Sequence, residues 1–103
     1  MDRIAGFKEI LALDPNNSFA RYGLAMEYVS LGDLPTALAE FDGLLAANPD
    51  YTAGYFMAAQ ALANAGRETE AIARLKDGIA SAIRTGNSHA QGEMQTLLDE
   101  LDR

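Results

Sequence analysis

The chain has 103 residues and a mass of 11.0 kDa, which is the size of one domain with a single modest core. Eight lysines and arginines against fifteen aspartates and glutamates give a net charge of -7, so nucleic acid is a poor partner for the molecule as a whole. The absence of cysteine excludes a disulfide framework and a thiolate site.

Six helices are predicted, joined by short loops, and most helix boundaries carry a recognisable cap or stop residue. In chain order the helices span residues 2–13, 18 to about 31, 33–48, 50 to about 65, about 68–84 and 88 to about 101. No strand alternation, low-complexity tract or long linker interrupts this series, so no second domain is expected.

The helix boundaries follow from residues with known cap and stop preferences. Gly32, Gly66 and Gly86 are predicted left-handed stops, and Pro15 and Pro49 end the helices before them. The predicted N-terminal caps are Asn17 or Ser18, Asp33, Asp50 and Ser88, because their side chains accept hydrogen bonds from the first turn.

The longest uncharged stretch, which includes Thr52 to Gly66, is shorter than the roughly 20 residues that a membrane span needs. Charges scattered between Asp2 and Glu9 leave no apolar block typical of a secretory signal. We therefore expect a soluble protein located in the cytoplasm, without membrane contact.

Comparison of the chain with itself reveals a repeat at an offset of about 34 residues. Between residues 7–49 and 41–83 nine aligned pairs are identical, against roughly three or four expected by chance in so alanine-rich a chain. They include Phe7 with Phe41, Pro15 with Pro49, Gly32 with Gly66, and Ala37 with Ala71. Each repeated unit is a pair of helices.

These units resemble the tetratricopeptide repeat, which has a 34-residue period and the pattern Trp-x2-Leu-Gly-x2-Tyr, then Ala-x3-Phe, then Pro. The unit 18–51 has Arg21, Leu24, Ala25, Tyr28, Ala37, Phe41 and Pro49 at these positions. The unit 52–85 has Tyr55, Ala58, Ala59, Leu62, Ala71 and Leu75, but Ile83 replaces the final proline.

The resemblance implies an all-α fold, an antiparallel helical-hairpin repeat array of about six helices. Residues 1–103 would form one domain, with a half repeat at 1–17, repeats at 18–51 and 52–85, and a capping helix at 86–103. Ala25 and Ala37 would lie where the two helices of a hairpin cross most closely.

The last helix departs from the repeat pattern, and we interpret it as a solvating cap for the end of the array. Its apolar stripe consists of Ala90, Met94, Leu97, Leu98 and Leu101, and its outward face of Gln91, Glu93, Gln95, Asp99, Glu100 and Asp102. Its removal is expected to expose Ile79, Ile83 and their neighbours.

The resemblance also implies a binding site, since members of the family bind protein segments in a concave groove lined by the first helix of each hairpin. The groove positions fall on Phe19, Tyr22, Met26, Val29 and Ser30, then on Ala53, Phe56, Gln60, Ala63 and Asn64. We expect Phe19, Tyr22, Met26, Val29, Phe56 and Gln60 to contact the partner. One variant of the family binds carboxyl-terminal tails with a Lys and Asn clamp, which Tyr22 and Met26 replace here.

The composition of the helix 18–31 supports a binding site there independently of the resemblance. Apolar residues occupy nearly its whole circumference, and such helices are normally buried on every side. Three interpretations stay open for the stripe of residues 19, 22, 26 and 29. The chain itself covers it, a second copy covers it in a homodimer, or a foreign segment binds there. With a charge of -7, such a segment would be apolar with basic flanks.

Catalysis and cofactor binding are not expected. His89 is the only histidine, and a solvated imidazole is its ordinary state. Carboxylates such as Glu68 and Glu70 lie at a helix end, where solvated charge is the usual outcome. Without cysteine or a second histidine, a transition-metal site is improbable, and no phosphate-loop motif occurs. The prediction is a protein interaction module, without cofactor or enzymatic activity; the alternative is a structural element that self-associates.

Overall fold

A computed structural model of the chain describes residues 2–103. Within that range it contains six helices and no strand, which confirms the all-α prediction. The helices are α1 (Arg3–Leu13), α2 (Ser18–Ser30), α3 (Leu34–Ala47), α4 (Thr52–Asn64), α5 (Glu68–Thr85) and α6 (Ser88–Leu101). The chain forms two compact units, one that ends at Asn48 and one of Pro49–Arg103.

Short-range side-chain caps begin four of the six helices. Asp2, Asn17, Asp33 and Asn87 each accept a hydrogen bond from the backbone N–H three residues further along. The prediction that Ser88 caps α6 is wrong, because the longer Asn87 side chain takes that role and Ser88 is the first helical residue.

Asp50 does not cap α4, contrary to the sequence-based prediction. The residue before the helix is Tyr51, which makes no side-chain cap bond. The Asp50 carboxylate instead lies 2.9 Å from the guanidinium of Arg84, at the far end of α5. A charged donor competes better for that carboxylate than a neutral backbone N–H does.

The predicted glycine stops are confirmed by their backbone geometry. Gly32, Gly66 and Gly86 have φ values of 78°, 78° and 68°, a region that glycine adopts without steric cost. After each glycine, the next N–H donates to the carbonyl five residues before it, as at Asp33 to Tyr28 over 2.9 Å. These bonds satisfy carbonyls that the helix end leaves open.

In the first unit, α2 and α3 form the core and α1 packs against α2. Ala25 and Ala37 are fully buried, as their positions in the repeat predict. The Phe7 ring of α1 lies over Gly23 of α2, in the space that a β-carbon there would need. The other buried residues are Ala20, Leu24, Phe41, Leu44 and Leu45.

In the second unit, α5 packs against both α4 and α6. Met94 of α6 is fully buried and lies against Gly78 of α5. The hydroxyl oxygens of Thr52 and Ser81, both buried, are 2.8 Å apart and join α4 to α5. Ile83 remains 61% exposed with α6 in place, so the prediction that α6 covers it is wrong.

The repeat period recurs in the hydrogen bonds. The Arg21 guanidinium donates to the carbonyl of Pro15 over 3.2 Å, and the Tyr55 hydroxyl donates to the carbonyl of Pro49 over 2.8 Å. Both donors stand at the repeat position where the family pattern has tryptophan, and both acceptors precede their donors by the same interval. Each hairpin therefore anchors its entry loop by the same device.

Candidate functional site

The predicted partner-binding residues of the first unit lie on one side of α2. Phe19, Tyr22, Met26 and Val29 are spaced by three, four and three residues, which places them along a single face of the helix. Phe19 is 70% exposed, and the other three are half-buried. We call these four residues the α2 stripe. The buried residues of α2, Ala20, Leu24 and Ala25, lie on the rest of its circumference.

Apolar side chains of α2 remain outside its buried face because the helix has more apolar residues than that face can hold. Small alanines at positions 20 and 25 let α2 approach its neighbours closely, and Leu24 fills the core between them. The larger side chains of the α2 stripe have less cover, since Tyr22 and Met26 are half-buried. Exposed apolar surface is a common feature of interaction sites.

In the second unit, Phe56 and Gln60 of α4 are half-buried, and the structure brings them together. They line a shallow surface concavity of about 330 Å³, whose opposite wall is α6. The α6 residues in that wall are Glu93, Thr96, Leu97 and Glu100. We call this feature the α4–α6 concavity.

The charge of the α4–α6 concavity is uniformly negative. Its lining contains two carboxylates, Glu93 and Glu100, and neither lysine nor arginine. Helix α4 has no charged residue at all, and α6 has neither lysine nor arginine. The Glu93 carboxylate lies 3.2 Å from Nε2 of His89, a side chain that is 88% exposed.

Sequence reasoning missed the role of α6 in this site. Glu93 and Glu100 were expected to face away from the array, yet they line the concavity beside Phe56. A signal was present, because residues 93, 96, 97 and 100 have the spacing of one helical face. The spacing did not reveal that this face turns towards α4.

A second concavity, of about 350 Å³, lies at the start of α4 and is lined by Asp50, Tyr51, Thr52, Ala53, Thr85 and Asn87. Its polar groups already have partners: Asp50 pairs with Arg84, and the Thr85 hydroxyl donates to the carbonyl of Ser81 over 2.9 Å. Partial burial raises the pKa of the Tyr51 phenol, which keeps that group neutral.

Other features bear on chemistry only weakly. A hydrogen bond from Arg67 lowers the pKa of Glu70, and this pair is solvent-exposed at the start of α5. Among residues 2–103 no three histidine, aspartate or glutamate side chains converge as metal ligands would. None of the helices in the same range combines the length and apolar character required to cross a membrane.

Comparison with known proteins agrees with this architecture. Sequence models of the tetratricopeptide repeat match residues 28–82 and, separately, residues 7–39. A TPR repeat-containing protein of Pseudomonas aeruginosa is 31% identical over 100 residues, an alignment that covers 97% of this chain and 95% of that protein.

Solved structures show the same fold. The solution structure of a tetratricopeptide repeat domain protein from Salinibacter ruber superposes with a TM-score of 0.80 at 30% identity, covering 85% of this chain and 89% of that one. PcrH, whose structure was determined in complex with the chaperone binding region of PopD, superposes with a TM-score of 0.85 at 18% identity, covering 93% and 73%. At that identity the likeness to PcrH concerns the fold alone. The repeat positions, the helical hairpins and these matches together show that the chain belongs to the tetratricopeptide repeat family.

Proposed function

We propose that the chain is a protein interaction module that binds an apolar segment of another protein. The observation that carries the proposal is Phe19, an aromatic side chain left 70% exposed at the head of the α2 stripe. Aromatic side chains supply most of the energy in many interfaces, and a folded domain gains nothing by leaving one in water.

The second unit would contribute Phe56 and Gln60 of α4 to the same activity. These residues occupy the repeat positions equivalent to Tyr22 and Met26, one repeat period earlier. Both are half-buried, so an apolar ligand could still remove surface from water at each of them. The known complex of PcrH with a region of PopD supports protein binding as a use of this fold.

The charge of the chain narrows the class of partner. At a net charge of -7, the protein would attract a segment that carries lysine or arginine beside its apolar residues. Such attraction would mainly accelerate association, and salt would screen it. The apolar contribution of Tyr22 and Phe56 would change little with ionic strength.

Selection from a library of amphipathic and extended peptides, followed by calorimetric titration, tests the proposal. For a selected peptide, Tyr22→Ala and Phe56→Ala should each weaken binding by about 2 kcal/mol, roughly thirtyfold. Leu13→Ala and Ile83→Ala are matched controls, since both remove exposed apolar side chains that are not among the proposed contact residues. If the controls weaken binding as much, or no peptide is selected, the proposal is wrong.

Self-association is the alternative use of the same surface, and the exposed Phe19 would serve it equally well. Sedimentation equilibrium distinguishes the two. A monomer at micromolar concentration supports binding of a foreign segment. A dimer that Phe19→Ala dissociates, and Leu13→Ala does not, would assign the α2 stripe to a second copy of the chain.

A further inference from the structure

We propose that the α4–α6 concavity binds an arginine side chain of the partner segment. This inference rests on the proposed function and adds a specificity pocket to it. It also assigns a binding role to α6, the helix that the repeat pattern leaves outside the binding surface.

The first argument is charge that the concavity does not neutralise. Glu100 forms no ion pair within the described residues, and Glu93 has only the exposed His89 beside it, which carries charge only when protonated. The two glutamates stand seven residues apart, about 10 Å along the helix axis. Their flexible side chains therefore flank the space between them from both ends. A cation placed there would meet two carboxylates, and the lining contains no lysine or arginine that would compete with it.

The second argument is the apolar floor between these carboxylates. Phe56 presents a half-buried ring from α4, and Leu97 a half-buried side chain from α6. A long aliphatic stem can lie on such surface while its charged end stays near solvent. The concavity, at about 330 Å³, lies at the small end of the volumes of ligand sites and has room for one long side chain.

The third argument favours arginine over lysine. A guanidinium is planar, stacks on aromatic rings and offers five donors, whereas an ammonium is a compact and strongly hydrated charge. The acceptors here are spread out: the carboxylates of Glu93 and Glu100 and the amide oxygen of Gln60. Several donors in one plane can serve such acceptors while the Phe56 ring covers one face of the group.

The test uses the full chain and three synthetic tripeptides, acetyl-Leu-Arg-Leu-amide and its citrulline and lysine analogues. Citrulline keeps the shape of arginine and removes its charge. We expect the arginine peptide to shift the amide resonances of Thr96 and Leu97 in the ¹⁵N spectrum. Exposed ion pairs are individually weak, so the citrulline peptide should bind about threefold to tenfold less tightly. The lysine peptide should fall between the two.

Variants of the protein distinguish the effect of the two glutamates in the concavity from the effect of the overall net charge on peptide binding. Glu93→Gln and Glu100→Gln should each reduce the preference for arginine over citrulline by about threefold, and the double variant should abolish it. Asp99→Asn is the matched control, because Asp99 is exposed, adjacent to Glu100 and outside the concavity. It makes the same change in net charge and should leave the preference intact. Far-ultraviolet circular dichroism verifies that each variant is folded.

Equal binding of the arginine and citrulline peptides would overturn the inference, as would no shift at Thr96 and Leu97 up to about 20 mM peptide. If Asp99→Asn lowered the preference for arginine as much as the glutamate variants, that preference would come from the overall charge of the protein, and the inference of a pocket would be wrong. These results differ from failure of the proposed function: a library peptide would then still depend on Tyr22 and Phe56, but not on Glu93 and Glu100. Lysine binding as tight as arginine would remove the assignment to arginine.

Discussion

Met94 of α6 occupies the space that a side chain at Gly78 of α5 would require. A β-carbon built on Gly78 would lie 2.5 Å from Sδ of Met94 and 2.6 Å from Cβ of Tyr55 in α4. The methionine end could move, but Cβ of Tyr55 is held by the backbone of α4. Gly78 therefore allows three helices to meet at one point.

Gly78→Ala should destabilise the protein even though alanine favours helix formation. Alanine gains about 1 kcal/mol in helix propensity, whereas overpacking in a rigid core costs about 1–3 kcal/mol. Gly92→Ala on α6 is the control, because nothing lies within 4 Å of its added carbon. It should therefore show the gain in helix propensity without the cost of overpacking. Urea unfolding should place Gly78→Ala about 1–3 kcal/mol below Gly92→Ala in stability. Equal stabilities would contradict this packing.

The buried hydroxyl pair of Thr52 and Ser81 should show energetic coupling. Thr52→Val leaves the Ser81 hydroxyl without its partner, and Ser81→Ala leaves the Thr52 hydroxyl only its longer contact of 3.4 Å with the carbonyl of Asp50, at a cost of about 1–3 kcal/mol each. The double variant should lose less than the sum of the two, because no buried hydroxyl is then left unpaired. Thermal or urea unfolding measures all three, and Thr69→Val, at an exposed site, is the control. Strict additivity would show that the hydrogen bond contributes nothing.

Ala37→Leu and Ala71→Leu should each lower the free energy of unfolding by about 1–3 kcal/mol. Both alanines are fully buried at equivalent repeat positions, in α3 and α5, where no space remains for three more carbons. Ala39→Leu and Ala73→Leu lie two residues further on at exposed sites and should change stability by less than about 0.5 kcal/mol. Melting temperatures of Ala37→Leu and Ala71→Leu equal to those of the controls would refute the repeat register.

Removal of residues 87–103 should cause aggregation or loss of cooperative unfolding. The loss uncovers the surface beneath Met94, formed in part by Gly78 and Tyr55, rather than Ile83, which is exposed already. Met94→Ala probes the same contact more gently and should cost about 2–5 kcal/mol, whereas the exposed Gln95→Ala should cost little. A soluble truncated chain that melts like the parent would show α6 to be dispensable.

Much of the fold was predictable because its signals are local in sequence. Asn17 and Asp33 cap helices through backbone groups only three residues away, and Gly32 and Gly66 end them through their own backbone freedom. Interactions over so few residues depend little on the rest of the chain. The 34-residue repeat also indicated which consecutive helices pair as hairpins.

The candidate site was predictable only in part. Residues 19, 22, 26 and 29 share one helical face by spacing alone, so their common orientation needed no tertiary information. The exposure of Phe19 and the partial burial of Tyr22 did require it, because coverage depends on which neighbours pack against α2. Whether these residues bind a partner stays a prediction.

The sequence by itself determined six helices, their glycine stops and the repeat of the helical hairpin, since propensity and capping act within a few residues. Only the tertiary structure decided the partner of the Asp50 carboxylate and the orientation of α6. Asp50 was predicted to cap α4, but its carboxylate pairs with the guanidinium of Arg84, which is distant in sequence. In α6, insertion of Met94 beside Gly78 set the rotation of the helix and brought Glu93 and Glu100 to the concavity. Such choices depend on contacts between residues far apart in the chain, which no local pattern contains.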